Sequence, residues 1–306
     1  MKTNKDILPF QGLLNGIGQV YFTPSIITST LLLLAISIES LALAFLTLLG
    51  ASCSYALAFY GYMYTNTNKS VDDIDSGMYA LNGALIGLFI GNFFGVTPLL
   101  ALVTALGALL TVPIAHIVFS FEKYRGYTSA FILTTWLIYI IQSTFELSAF
   151  SAPDSALMPL ISIEANSWFN LPTVVIPLLK GISQVSFIEN ALSGLVILVA
   201  IALNNIKHAI WVMLAVIIST VFSGLIGASN ELVAQGLYGY NAILATLALV
   251  PYPRIRWPLI LLGMLLSCLI TLGFHELSLL PLTAPFILST WGMVYLSSLI
   301  HKRTIS

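Results

Sequence analysis

The sequence predicts an all-α integral membrane protein: about ten transmembrane helices with re-entrant or broken pore helices, built as two inverted-topology five-helix repeats. Three observations predict it. Of 306 residues, 58% are hydrophobic and 8% are charged, and the mean hydropathy is +0.98, an apolar excess that no water-soluble fold can bury. The apolar residues gather into ten stretches of membrane scale. The second half of the chain also restates the first.

Spans long enough to approach about 30 Å of hydrocarbon run roughly 9–38, 41–64, 77–93, 97–121 and 127–147 in the first half. The second half holds 170–203, 207–228, 236–250, 257–274 and 283–301. Some are too long for one crossing and others too short. Broken or re-entrant pieces are therefore expected, especially around Pro24 and Pro177, and these persist only where protein or a water-filled cavity covers their backbone.

Thr128-Ser129-Ala130-Phe131-Ile132-Leu133-Thr134-Thr135-Trp136 returns as Thr283-Ala284-Pro285-Phe286-Ile287-Leu288-Ser289-Thr290-Trp291, 155 residues on. Gln19-Val20-Tyr21-Phe22 returns 165 residues on as Gln184-Val185-Ser186-Phe187, and Gly77 to Asn82 returns 159 on as Gly236 to Asn241. The shrinking offsets are those of shortened loops. A duplicated apolar chain builds its site where the halves meet, near the bilayer midplane.

Positive charge sets the orientation. With the N-terminus inside and ten crossings, Lys2, Lys5, Lys69, Lys123, Arg125, Lys207, Arg254, Arg256, Lys302 and Arg303 all fall on the cytoplasmic side, and Lys180 is the exception. Five crossings per half invert the second copy. The expected division is a first repeat at 1–152, an extracytoplasmic connector at 153–169 and a second repeat at 170–306, both termini cytoplasmic. The start of the chain resembles a secretory signal but has no small-x-small cleavage site, so it is read as mature protein. Cys53 and Cys268 lie in apolar segments without metal-ligand spacing, and a net charge of −1 offers no basic stripe to nucleic acid.

A polar side chain within a span needs a partner or a wet cavity, so duplicated polar residues carry the most information. Gln19 and Gln184 each precede an aromatic by three residues, Phe22 or Phe187, a spacing that puts amide and ring on one helix face. The functional reading is pore lining; the plain one is interhelical hydrogen bonding. Thr128 and Thr283 offer hydroxyls to a passing solute or back-bond to their own helix carbonyls. Asn82 and Asn241 stand among Gly77, Gly83, Gly236 and Gly239, which suit close helix packing, with Leu81, Leu85, Tyr240 and Leu244 as apolar walls of a slot.

Charge is missing from the interior. Glu39, His116, Glu146, Lys180, Glu189, His208 and His275 are scattered and unduplicated, and most sit at predicted membrane edges where snorkelling explains them; His116 looks the deepest. No nucleophile stands beside a matched base and no metal cluster is spelled out, so neither an enzyme nor a cofactor is expected. A path lined by uncharged donors and acceptors between apolar rings suits a small, neutral, polar solute.

Leu280-Pro281-Leu282-Thr283-Ala284-Pro285-Phe286 is similar to the LPxxTxPF-type signature of the urea transporters, shifted by at most a residue. Gly236-Leu237-Tyr238-Gly239-Tyr240-Asn241-Ala242 and Lys180-Gly181-Ile182-Ser183-Gln184-Val185-Ser186-Phe187 resemble that family's other hallmark stretches, in the same order and spacing. The resemblance implies a channel-like homotrimer in a bacterial inner membrane, with one pore per protomer, passing urea down its gradient. It implies slot rings at Phe22 and Phe187, walls at Leu81, Leu85, Tyr240 and Leu244, Gln19 and Gln184 receiving amide hydrogens at the mouths, and Thr128, Thr283, Val20 and Val185 at the centre. Urea, or a similar small neutral amide, and the lipid bilayer are the implied partners.

The departures from the family pattern are concentrated in the first half. Gly126-Tyr127-Thr128-Ser129-Ala130 replaces its Leu-Pro and second Pro, Leu81 stands where an aromatic wall is expected, and Ser25-Ile26 and Asn190-Ala191 replace its Asn-Pro. The competing readings are a channel for other small neutral solutes (short amides, ammonia, water) and an ion-coupled carrier using Lys180 with Glu189.

Overall fold

The computed structural model describes residues 10–65, 71–121, 124–145 and 174–305, so the connector read at 153–169 lies outside the described residues. All regular structure among them is helical. The first half runs α1 (Gln11–Gly18), α2 (Ile26–Glu39), α3 (Leu41–Thr65), α4 (Val71–Asp75), α5 (Met78–Phe94), α6 (Pro98–Phe119) and α7 (Ser129–Phe145). The second half repeats that order as α8 (Val175–Ser183), α9 (Ala191–Asn204), α10 (Ile206–Leu225), α11 (Asn230–Ala234), α12 (Gly239–Leu249), α13 (Trp257–Glu276) and α14 (Ala284–Ile305).

The first span of each half is broken. Helix α1 ends in a 3₁₀ turn, Gln19–Tyr21, and the chain bends by 66° into α2; α8 ends in Gln184–Ser186 and bends by 73° into α9. The break is made at Phe22 and Phe187, which take left-handed backbone at φ 55° and 57°. A bulky residue there costs on the order of 1–3 kcal/mol and persists only where its surroundings over-determine it. Asn190 then starts α9 by accepting from the amides of Leu192 and Ser193 at 2.9 and 3.1 Å, as an N-cap does. Pro24 lies at the first break, but Pro177 does not break its helix. It sits in the first turn of α8, where no intrahelical hydrogen bond is lost.

Helices α3, α6, α10 and α13 are each long and apolar enough to cross a bilayer, and the two bent pairs raise the number to six. Helices α5, α7 and α12 are shorter. All eleven residues of α12 are buried, as is almost all of α5, so these two are enclosed by protein and need not match the bilayer in length. By contrast, α6 turns Leu99, Leu102, Leu106, Leu110 and Ile117 outward, a stripe at three- and four-residue spacing suited to lipid. His116, in the last turn of α6, is exposed.

Small residues set how closely the helices approach. Gly50 of α3 lies against the backbone of Gly83 of α5, and Gly77 against Gly16, with Gly236 against Gly181 as the second-half counterpart. The halves join along α2 and α9, where Ser193 donates to the carbonyl of Ala35 at 2.8 Å and Asn190 donates to Glu39 at 3.1 Å.

Candidate functional site

Both copies build the region around the conserved-in-duplicate threonines with the same hardware. Asn82, fully buried on α5, donates from Nδ2 to the carbonyl of Tyr127 at 3.1 Å and accepts from the amide of Phe131 at 2.8 Å. Asn241, fully buried on α12, donates to the carbonyl of Leu282 at 3.2 Å and accepts from the amide of Phe286 at 3.2 Å. Each asparagine thus clamps the turn that enters α7 or α14 and satisfies an orphan amide of that helix's first turn. Tyr127 and Leu282, at φ 43° and 45°, make the two turns left-handed alike.

The clamped turns bring Thr128 and Thr283 together. Their hydroxyl oxygens are 2.8 Å apart, and the residues are 5% and 1% exposed. One hydroxyl donates to the other, which leaves the second hydrogen and the remaining lone pairs for another partner. Val20 and Val185, both buried, lie on the two 3₁₀ turns. Between those turns Tyr21 donates to the carbonyl of Ile182 at 2.8 Å and touches the Ser186 hydroxyl at 3.1 Å.

Aromatic rings flank the threonines. Phe22, Tyr127 and Phe286 form a three-ring group with centroids 5.5–6.1 Å apart. In the other copy Phe187 packs on Phe131, Phe89 and Phe93 at 5.9, 6.4 and 6.2 Å. Beyond each group a cavity opens. The first, of about 430 Å³, is bordered by Gln19, Phe22, Ser76, Met78, Gly126 and Tyr127. The second, of about 240 Å³, is bordered by their counterparts Gln184, Phe187, Gln235, Leu237, Pro281 and Leu282.

Of the residues singled out in sequence, Gln19 and Phe22 border the first vestibule, Gln184, Phe187 and Tyr240 the second, and Thr128, Thr283, Val20 and Val185 are buried near the junction of the halves. Leu81, Leu85 and Leu244 are packed in the apolar core and border neither vestibule. Gln184 donates one of its two amide hydrogens to the carbonyl of Gln235 at 3.1 Å, and its side-chain oxygen is left to accept. The clamping role of the asparagines and the wall formed by Tyr127 were not legible beforehand, although the register of the repeat, which pairs Ser76 with Gln235 and Met78 with Leu237, points to both vestibules.

Charge distinguishes the two cavities. Asp72, Asp73 and Arg125 border the first vestibule, and Asn92 and His275 the second. Burial pushes the Asp73 carboxyl above the usual range, neighbouring Asp72 adds to the rise, and Arg125 opposes it. Lys180 and Glu189 pair at 2.7 Å but border neither vestibule. Among the described residues, every fully buried side chain that hydrogen-bonds through more than a tyrosine hydroxyl or a thiol is Ser, Thr, Asn or Gln; no Asp, Glu, Lys, Arg or His is fully buried. No group of His, Cys, Asp and Glu suited to a metal occurs among them.

The profile of the urea transporter family matches residues 10–298. The chain belongs to the urea transporter family. That family is one of transporters, not enzymes. Among curated relatives, this urea transporter family member is 39% identical over 67 residues to urea transporter 1 of Mus musculus, a stretch covering 22% of this chain and 17% of the mouse protein. It is 35% identical over 74 residues to urea transporter 1 of Ovis aries, covering 24% of this chain and 19% of that one. The matched stretches thus span under a fifth of those relatives' length.

Proposed function

We propose that the protein conducts urea passively across the membrane, from one vestibule past the Thr128–Thr283 pair to the other. The observation that carries this reading is the pair itself, two hydroxyls 2.8 Å apart between two groups of rings, with no charged side chain fully buried among the described residues. Urea is flat, neutral and rich in N–H donors. Each N–H left unpaired costs roughly 1–3 kcal/mol, so a path must replace water with acceptors. Gln19 and Gln184 offer side-chain oxygens at the mouths, the threonines offer theirs at the centre, and the broken ends of α1 and α8 add the negative end of a helix dipole. The rings of Phe22, Phe187 and Tyr240 at the two cavities, backed by the apolar core in which Leu81, Leu85 and Leu244 are packed, exclude hydrated ions.

The same reading places the halves, 1–152 and 170–306, as inverted repeats about a pseudo-two-fold axis in the membrane plane, with both termini cytoplasmic, in the inner membrane of a bacterium, each protomer of a homotrimer having its own pore. The reciprocal bonds Trp136 to Leu280 and Trp291 to Arg125, each 3.0 Å, support the two-fold, because a symmetric pairing makes every contact twice. A second reading, a channel for short amides, ammonia or water, is favoured by Leu81 in place of a ring. Labelled-urea uptake into proteoliposomes decides: uptake above that of empty vesicles and indifferent to imposed proton or sodium gradients is expected. Uptake equal to that of empty vesicles would overturn the proposal, and dependence on a gradient would favour the Lys180–Glu189 carrier.

A further inference from the structure

The two slots place their aromatic walls on different elements. In the second copy the ring comes from the helix: Tyr240 of α12 reaches across, its hydroxyl donating to the carbonyl of Leu282 at 2.7 Å, and Leu282 on the threonine turn is aliphatic. In the first copy the helix position is Leu81, and the turn position is Tyr127. Tyr127 is only 4% exposed yet borders the first vestibule, with its ring 5.6 Å from Phe22 and 5.5 Å from Phe286. Its hydroxyl is held by that of Tyr252 at 3.2 Å. Tyr252 is the counterpart, 159 residues on, of Phe93, which packs on Phe187 in the second copy. The ring missing at position 81 has been supplied from position 127 and tethered from the other half of the chain.

We infer that Tyr127 is the selectivity-determining wall of the first slot, doing for Phe22 what Tyr240 does for Phe187. The inference rests on the urea-conduction reading and deepens it: the departure at Leu81 does not loosen the slot, because a fixed ring closes it from the turn. Tyr127 stands edge-on to Phe22, with 62° between the ring planes, so it closes the side of the slot: a planar solute lies on the face of Phe22, and an added methyl group meets Tyr127. Replacing Tyr127 by Leu is compatible with the backbone, since Leu282 adopts the same left-handed conformation at φ 45°.

The test compares fluxes of urea and methylurea through proteoliposomes. Tyr127→Leu is expected to lower the urea-to-methylurea ratio about tenfold, the discrimination that one methyl group brings in a well-shaped apolar pocket. Tyr127→Phe is expected to keep that ratio, because the ring remains. Tyr127→Leu with Leu81→Tyr, which copies the second slot into the first, is expected to restore it. Wild-type protein that conducts urea, with Y127L unchanged in ratio or the double variant unrestored, would overturn the inference alone. Wild-type vesicles no faster than empty ones would overturn the conduction reading and the inference with it. Should Y127L fail to fold, Leu81→Tyr alone decides, because a second ring beside Tyr127 is expected to cut urea flux roughly tenfold or more, and undiminished flux would overturn the inference.

Discussion

Tyr21 touches Ser186, its own counterpart in the other half, at 3.1 Å. On the proposed two-fold reading, this contact and the Thr128–Thr283 pair at 2.8 Å lie beside the axis that relates the halves, because a residue meets its own copy only there. The proposed site is made of residues from both halves that meet in this way, and the following expectations test what each contributes.

Thr283→Val keeps the shape of the side chain and removes its hydroxyl. If Thr283 accepts from a passing solute, urea flux falls about tenfold, the effect of roughly 1.4 kcal/mol from one unpaired donor, while the yield of folded protein is retained. Unchanged flux at equal yield would show that the hydroxyl serves only Thr128.

Asn82→Ala strands the carbonyl of Tyr127 and the amide of Phe131, both buried with it. Each stranded group costs roughly 1–3 kcal/mol, so the melting temperature in detergent should fall. Asn82→Asp should not rescue the loss, since a carboxylate there would be fully buried and would face the carbonyls of Met78 and Tyr127. Asn241→Ala is expected to behave in the same way.

Gly77→Ala and Gly236→Ala place a side chain at φ 82° and 79° against the backbone of Gly16 and Gly181. Both strain and close approach oppose the change, so the yield of monodisperse protein should drop sharply for each, as read by size-exclusion chromatography. Gly224→Ala, where nothing lies near the added carbon, is the control.

Asp73→Asn should raise the melting temperature at neutral pH. Burial lifts the Asp73 carboxyl above its ordinary range in the folded protein, so the native state favours the proton and ionisation costs stability as pH rises through the window above the unfolded value. The advantage of Asn over Asp should therefore shrink on acidification and vanish below the unfolded carboxylate range. An advantage that persists there would mean that the charge is not its cause.

Much of this architecture was legible in the sequence because the chain is written twice. The pairs Gln19 and Gln184, Thr128 and Thr283, and Phe22 and Phe187 repeat at nearly constant offsets, and a polar residue retained in both apolar copies announces a shared position. What was not legible depends on contacts between elements. The asparagines hold turns 45 residues away, which no local period encodes. Tyr127 replaces a ring at a different register, so comparing Leu81 with Tyr240 shows the loss and not the compensation. Pro177 was misleading because a proline permitted in a helix's first turn looks, in sequence, like one that breaks it.

Stopped-flow light scattering under an inward urea gradient tests the central claim most directly, with wild-type protein, empty liposomes and the Thr128→Val, Thr283→Val double variant side by side. Conduction past the threonine pair predicts fast wild-type flux that does not saturate at high urea, and a double variant that approaches empty liposomes while eluting as folded protein. A wild type no faster than empty liposomes, or a double variant as fast as the wild type, would contradict it.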